Sequence, residues 1–186
     1  MRKITLVLVI CLFTANLFAQ EKQEESNFLT KLFDNGFLMS MEFRTGSNPT
    51  FKKAKSFQNS DWITSFGYNF NKTLSAYIPI GMETALFEQD GERDWKESET
   101  LGLGLSFKIF KREDGAGFAA LNVSAGRAIS GDKDWKYTYY DVGFNMSAGI
   151  KYLKGMLGFG FRFYDAHKNV KNRNAIYLSL GLFLGS

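Results

Sequence analysis

The sequence predicts an all-β chain, an eight-stranded antiparallel up-and-down transmembrane β-barrel. Three observations predict it. The first is a period-two alternation that sets large apolar side chains against glycine, serine or charge. In residues 100–110, Leu101, Leu103, Leu105, Phe107 and Ile109 fall on one face, with Gly102, Gly104, Ser106 and Lys108 on the other. Bulk outward and small or polar groups inward is the arrangement of a small membrane barrel, and the reverse of a soluble sandwich. The second is the number and length of such segments, eight of them, each long enough to cross a tilted apolar band ~25 Å tall. The third is that long polar loops follow the odd segments and short turns the even ones. No stretch after the N-terminus has the hydropathy of a spanning helix, so any span must be made of strands.

Residues 1–19 read as a secretory signal peptide. Arg2 and Lys3 give a basic start, residues 4–13 an apolar core, and Ala19 a small residue at the cleavage point. Thr14 and Asn16 interrupt the run short of the roughly twenty apolar residues of a spanning helix. The only cysteine, Cys11, lies in this segment and follows Ile10, where a lipoprotein box wants a small residue. The exported chain is therefore expected to start at Gln20, unlipidated, with no thiol chemistry. Residues 20–35 form a periplasmic N-terminal segment in which Phe28, Leu29, Leu32 and Phe33 would share one face of a short helix. It reads either as a plug or interface anchor, or as a polar leader.

Residues 36–186 form the barrel. Strand one (36–46) turns Phe37, Met39, Met41 and Phe43 out, with Glu42 and Arg44 opposite. After a polar loop (45–60) carrying Lys52, Lys53 and Lys55, strand two (61–71) turns Trp62, Thr64, Phe66, Tyr68 and Phe70 out. A tight turn at Asn71 and Lys72 leads into strand three (74–87), with Ile78, Ile80 and Met82 outside and Tyr77, Gly81 and Glu83 inside. Pro79 in that strand has no N–H for the ladder. It reads as a bulge beside Gly81, or as a lateral opening for a lipid or ligand. An acidic loop (88–97) precedes strand four (98–110), and a polar turn (111–115) precedes strand five (116–127).

A loop (129–136) follows. Strand six (138–151) then sets Tyr140, Val142, Phe144 and Met146 against Asp141, Gly143 and Asn145. Strand seven (156–165) sets Leu157, Phe159, Phe161 and Phe163 against Gly158, Gly160, Arg162 and Tyr164. A basic loop with His167, Lys168, Lys171 and Arg173 leads to strand eight (174–184). Asp-Trp recurs ahead of the even strands, and Trp62, Trp95 and Trp135 are expected in an interfacial aromatic girdle. The competing reading is a substrate-binding aromatic cluster.

The chain resembles the small eight-stranded outer-membrane barrels of the OmpA transmembrane-domain type. The likeness spans roughly residues 36–184 and rests on pattern, together with the C-terminal YLSLGLFLGS, where Phe183 is an aromatic near the end. Gly185 and Ser186 depart from the usual terminal aromatic. The alternation of long loops with short turns is the outer-membrane signature, and an even strand count is expected to put both termini in the periplasm. The resemblance implies a choice among envelope anchors, adhesins, narrow channels and lipid-A-modifying enzymes.

Enzymatic readings are disfavoured. His167 is the only histidine, with no adjacent serine, whereas the lipid-A deacylases and acyltransferases of the group need a histidine with a hydroxyl and a carboxylate. One histidine and no exported cysteine also argue against a metal site, and no cofactor is expected. The net charge is +4, of which two charges leave with the signal, too little to argue for nucleic acid. Lys52, Lys53, Lys55, Lys168, Lys171 and Arg173 are candidate contacts for lipopolysaccharide phosphates, or ordinary solvated loops.

Six charges point inward by the strand phase: Glu42, Glu83 and Asp141 against Arg44, Lys108 and Arg162. An eight-stranded interior is just wide enough for side chains, so these are expected to pair and plug it. The functional expectation is a monomeric, non-enzymatic barrel with a structural or surface-interaction role, touching membrane lipid, lipopolysaccharide and a surface partner through its loops. Alternatives are a narrow channel or lateral gate for small hydrophobic molecules, and a soluble periplasmic ligand-binding barrel with inverted faces.

Overall fold

The computed structural model of the chain describes residues 25–48, 55–89, 92–167 and 172–185. The expected signal peptide lies outside them, as do Lys52, Lys53, Lys168 and Lys171. A helix, α1 (Glu25–Asp34), precedes eight strands: β1 (Phe37–Ser47), β2 (Lys55–Asn69), β3 (Leu74–Gln89), β4 (Glu92–Lys111), β5 (Gly117–Gly131), β6 (Tyr137–Gly149), β7 (Leu153–Ala166) and β8 (Arg173–Leu184). They form a closed barrel in sequence order. All neighbours are antiparallel, and β1 closes on β8 with Met39 facing Leu184 and Ser47 facing Ile176. Closure leaves no free sheet edge.

The alternation read from the sequence is the alternation of the wall. Leu101, Leu103, Leu105, Leu157, Phe159, Phe161, Ile176, Leu178 and Leu180 stand exposed on the outer surface, while Lys108, Asp141, Arg162 and Ser179 are buried inside. The molecule is thus turned inside out relative to a soluble barrel, with an apolar belt around a polar interior.

The strands are longer than the alternation indicated. The expected loops 45–60 and 88–97 are largely strand, because β2 begins at Lys55 and the β3–β4 ladder runs up to Gln89 facing Glu92. Past the apolar belt the outer face turns polar and the hydrophobic contrast fades, but backbone pairing continues. Glu88 and Arg93 face each other there, 3.9 Å apart between Oε2 and Nε.

At the opposite end the connections are short. Asn71 Oδ1 accepts from the backbone N–H groups of Thr73 and Leu74 at 2.8 Å each, closing the β2–β3 turn. In the β4–β5 turn Asp114 Oδ1 accepts from the Ala116 N–H at 2.9 Å, and this bond holds the carboxyl below its ordinary pKa. Gly115 takes φ +70° there, a conformation that favours glycine.

Helix α1 docks on this rim. Phe33 is buried against the rings of Phe37 and Tyr152, and Asp34 Oδ1 accepts from Lys151 Nζ at 3.2 Å and from the Tyr152 hydroxyl at 3.0 Å. Lys151 also donates to Tyr152, at 2.6 Å. The Tyr152 hydroxyl and then the Asp34 carboxylate raise the lysine's pKa.

Candidate functional site

The interior is filled in three layers. Nearest the turns are two lysines. Lys108 Nζ donates to Asn69 Oδ1 at 2.9 Å, and Lys154 Nζ donates to the Gly185 carbonyl at 2.8 Å. Phe118 and Phe183 pack edge-to-face between them, and both ammonium groups lie over the Phe183 ring.

The middle layer is a charge network. Arg162 on β7 donates from Nε to Asp141 Oδ2 at 2.8 Å and from Nη1 to Asp61 Oδ2 at 2.6 Å. A longer contact, 3.4 Å, reaches Glu83 Oε2. Arg44 on β1 donates to Asp141 Oδ2 and Glu42 Oε2, each at 2.9 Å. Tyrosines complete the shell: Tyr177 donates to Asp141 Oδ1 at 2.7 Å and Tyr164 to Glu83 Oε2 at 3.0 Å. The Arg44 guanidinium lies 4.5 Å from the Tyr177 ring centroid, and that of Arg162 4.6 Å from Tyr139. Charges removed from water need this degree of pairing and hydrogen bonding.

Glycines make the room. A Cβ at Gly143 or Gly160 would collide with the Tyr177 hydroxyl, so these positions let the ring cross the lumen. Between the lysine layer and the network, a cavity of about 50 Å³ is lined in part by Glu42, Arg44, Ser65, Ser75 and Asn122. It has room for a few waters and does not amount to a channel.

The third layer caps the loop end. Phe57, Ala85, Trp135, Tyr137, Tyr139, Tyr164 and Ala175 form one buried cluster. Trp135 stacks at tilted angles on Tyr137 and Tyr164, and Tyr137 shares a 2.8 Å hydrogen bond with Ser98.

All six charges expected inside are there and buried: Glu42, Arg44, Glu83, Lys108, Asp141 and Arg162. Five form or adjoin the network near the loop end, and Lys108 stands apart near the turns. Two further charges, Asp61 and Lys154, also point inward. Asp61 precedes outward Trp62, so parity alone puts it inside. Lys154 is on the inward parity of Met156 but lies between the alternating segments 138–151 and 156–165. With them the interior holds four acids and four bases among the described residues. All four acids lie in the network, and the two lysines are segregated at the turn end.

The girdle needs one correction. Trp62 and Trp95 stand on the outer surface, 56% and 62% exposed, but Trp135 is 0% exposed and sits inside the cap. It leads into β6 on the parity of Tyr137, Tyr139 and Asp141, so the shared Asp-Trp motif misleads and the strand phase decides.

At the rim, Arg173 turns into the mouth with its guanidinium 5.8 Å from the Phe87 ring. His167 is exposed, with Nε2 3.1 Å from the Thr138 hydroxyl. That hydroxyl partner was not legible in the chain order, since β6 supplies it across the sheet. No carboxylate bonds the imidazole among the described residues.

No family model matches this chain, and no curated protein matches it. Among solved structures it is similar to the translocator domain of the autotransporter NalP from Neisseria meningitidis, at 11% identity and a TM-score of 0.33, over 91% of this chain and 70% of that one. It is also similar to a bacterial polysaccharide outer membrane secretin, at 8% identity and a TM-score of 0.37, over 84% of this chain and 60% of that one. Neither likeness bears on what this chain does.

Proposed function

We propose that the chain is an outer-membrane barrel with a non-enzymatic structural or surface-interaction role, its lumen closed to solutes. The observation that carries this reading is the pairing of an outer apolar belt with an interior in which Arg44 and Arg162 bridge the buried carboxylates of Glu42, Asp61, Glu83 and Asp141. The belt suits hydrocarbon, and among the described residues the network and the aromatic cap fill the lumen. The part left to act is the loop-end rim. There β2, β3 and β4 continue past the belt, anchored inward by Phe57, Ala85 and Phe87 and carrying Trp95 outward. In this reading Lys52, Lys53, Lys55, Lys168 and Lys171 meet lipopolysaccharide phosphates, and Arg173, turned inward, contributes least.

Single cysteines test it in intact expressing cells. Glu97→Cys on the rim should react with a membrane-impermeant maleimide, while Lys151→Cys at the turn end should react only after lysis. Labelling of both, or of Lys151→Cys alone, would contradict the orientation and the surface role.

A further inference from the structure

The β3–β4 ladder is broken at one place. Pairing runs from Leu74–Phe107 to Tyr77–Gly104 and resumes at Ile80–Leu101, skipping Ile78 and Pro79. The register puts Pro79 opposite Gly102 and Ile78 opposite Leu103. Antiparallel ladders alternate hydrogen-bonded and open pairs, and both lost pairs depend on one bond, from the N–H of residue 79 to the Gly102 carbonyl. Proline has no N–H, so that carbonyl lacks its ladder donor within the apolar belt, where no water substitutes.

Beside the break, the outer surface carries a groove of about 760 Å³. Phe66 and Tyr68 on β2 and Leu103 and Leu105 on β4 form its banks, with the smaller Ala76 between them, and its upper end abuts Ile78 and Leu103, the pair next to the missing bond. The lumen side is shut, because the Tyr139 hydroxyl lies against Gly102.

We infer that this groove binds a fatty acyl chain carrying a mid-chain hydroxyl, the chain lying along the groove from the turn side and the hydroxyl donating to the Gly102 carbonyl. The inference rests on the outer belt facing lipid. A plain alkyl chain fits the groove but supplies no donor to the carbonyl, and a water-soluble donor does not reach it. The chemistry selects an amphipathic chain whose single polar group sits at mid-membrane depth.

Ricinoleate and oleate differ by that hydroxyl. With the full chain folded in detergent micelles, the Gly102 carbonyl-carbon resonance should move saturably with ricinoleate and stay unmoved by oleate. Pro79→Val, which restores the donor, and Ala76→Phe, which fills the groove, should each abolish the response. An equal response to both fatty acids, none to either, or a ricinoleate response that survives in both variants would overturn the site. Detergent-chain contacts to the amides of Leu157 and Leu180, measured in the same sample, report the lipid-facing belt separately. Their presence without a ricinoleate response sinks the groove proposal alone.

Discussion

Arg162 on β7 reaches across the barrel to Asp61 on β2, Nη1 to Oδ2 at 2.6 Å. These strands are not neighbours in the sheet, so the contact ties opposite walls through the lumen. Arg162 Nε meanwhile holds Asp141 on the adjacent β6. One planar guanidinium thus joins three strands, a geometry that the point charge of a lysine does not reproduce.

Arg162→Ala should therefore lower stability by about 3–5 kcal/mol, because it leaves buried carboxylates uncompensated. Urea unfolding in lipid vesicles measures it. The double variant Asp61→Asn with Arg162→Ala should lose less than the two single losses added. Additive losses would mean that the two side chains do not interact.

Trp135→Ala should cost about 3–5 kcal/mol as a large-to-small core substitution. Trp95→Ala, at an exposed site, should stay within about 0.5 kcal/mol of wild type. The reverse ranking in the same unfolding assay would put Trp135 back in an interfacial girdle.

These two tryptophans show what the sequence does and does not make legible. Where large and small residues alternate, as in β4, β7 and β8, strand phase alone assigned the wall correctly, because lipid-facing bulk and a crowded lumen impose opposite demands on successive residues. It failed where that contrast fades. Beyond the belt, β3 and β4 carry polar residues outward, so the sequence of residues 88–97 reads as a loop. Trp135 and Lys154 lie just outside the alternating segments 138–151 and 156–165, so the visible period does not reach them. Asp61 is within reach of parity, but its place in an Asp-Trp pair draws it towards the interface. The tyrosine shell and the Thr138–His167 contact depend on cross-strand register, which one strand's pattern does not contain.

Leu103→Arg or Phe161→Arg should cost roughly 2–4 kcal/mol at mid-belt. Gly160→Ala should destabilise for a different reason, by about 1–3 kcal/mol of overpacking, since its Cβ would meet the Tyr177 hydroxyl and the Val142 carbonyl. Pairing it with Tyr177→Phe should recover part of the loss. If Gly160→Ala is neutral, the Tyr177 ring does not cross the lumen there.

The purified protein should show no steady ionic conductance in planar bilayers, because the Arg44 and Arg162 network and the aromatic cap close the lumen. Reproducible single-channel steps from wild type would replace the closed-lumen reading with a channel.

Single-cysteine labelling in reconstituted vesicles tests most directly the direction of the wall, apolar groups to lipid and charge to the lumen. Gly104 and Gly160 make poor inward sites, since any side chain there strikes Tyr77 or Tyr177, whereas Ser65 and Ser179 are inward, buried and close to cysteine in size. A lipid-soluble thiol reagent should modify Phe161→Cys and Leu180→Cys and spare Ser65→Cys and Ser179→Cys. Modification of the two serine positions with protection of the other two would mean that the faces are inverted and the barrel is not a membrane protein.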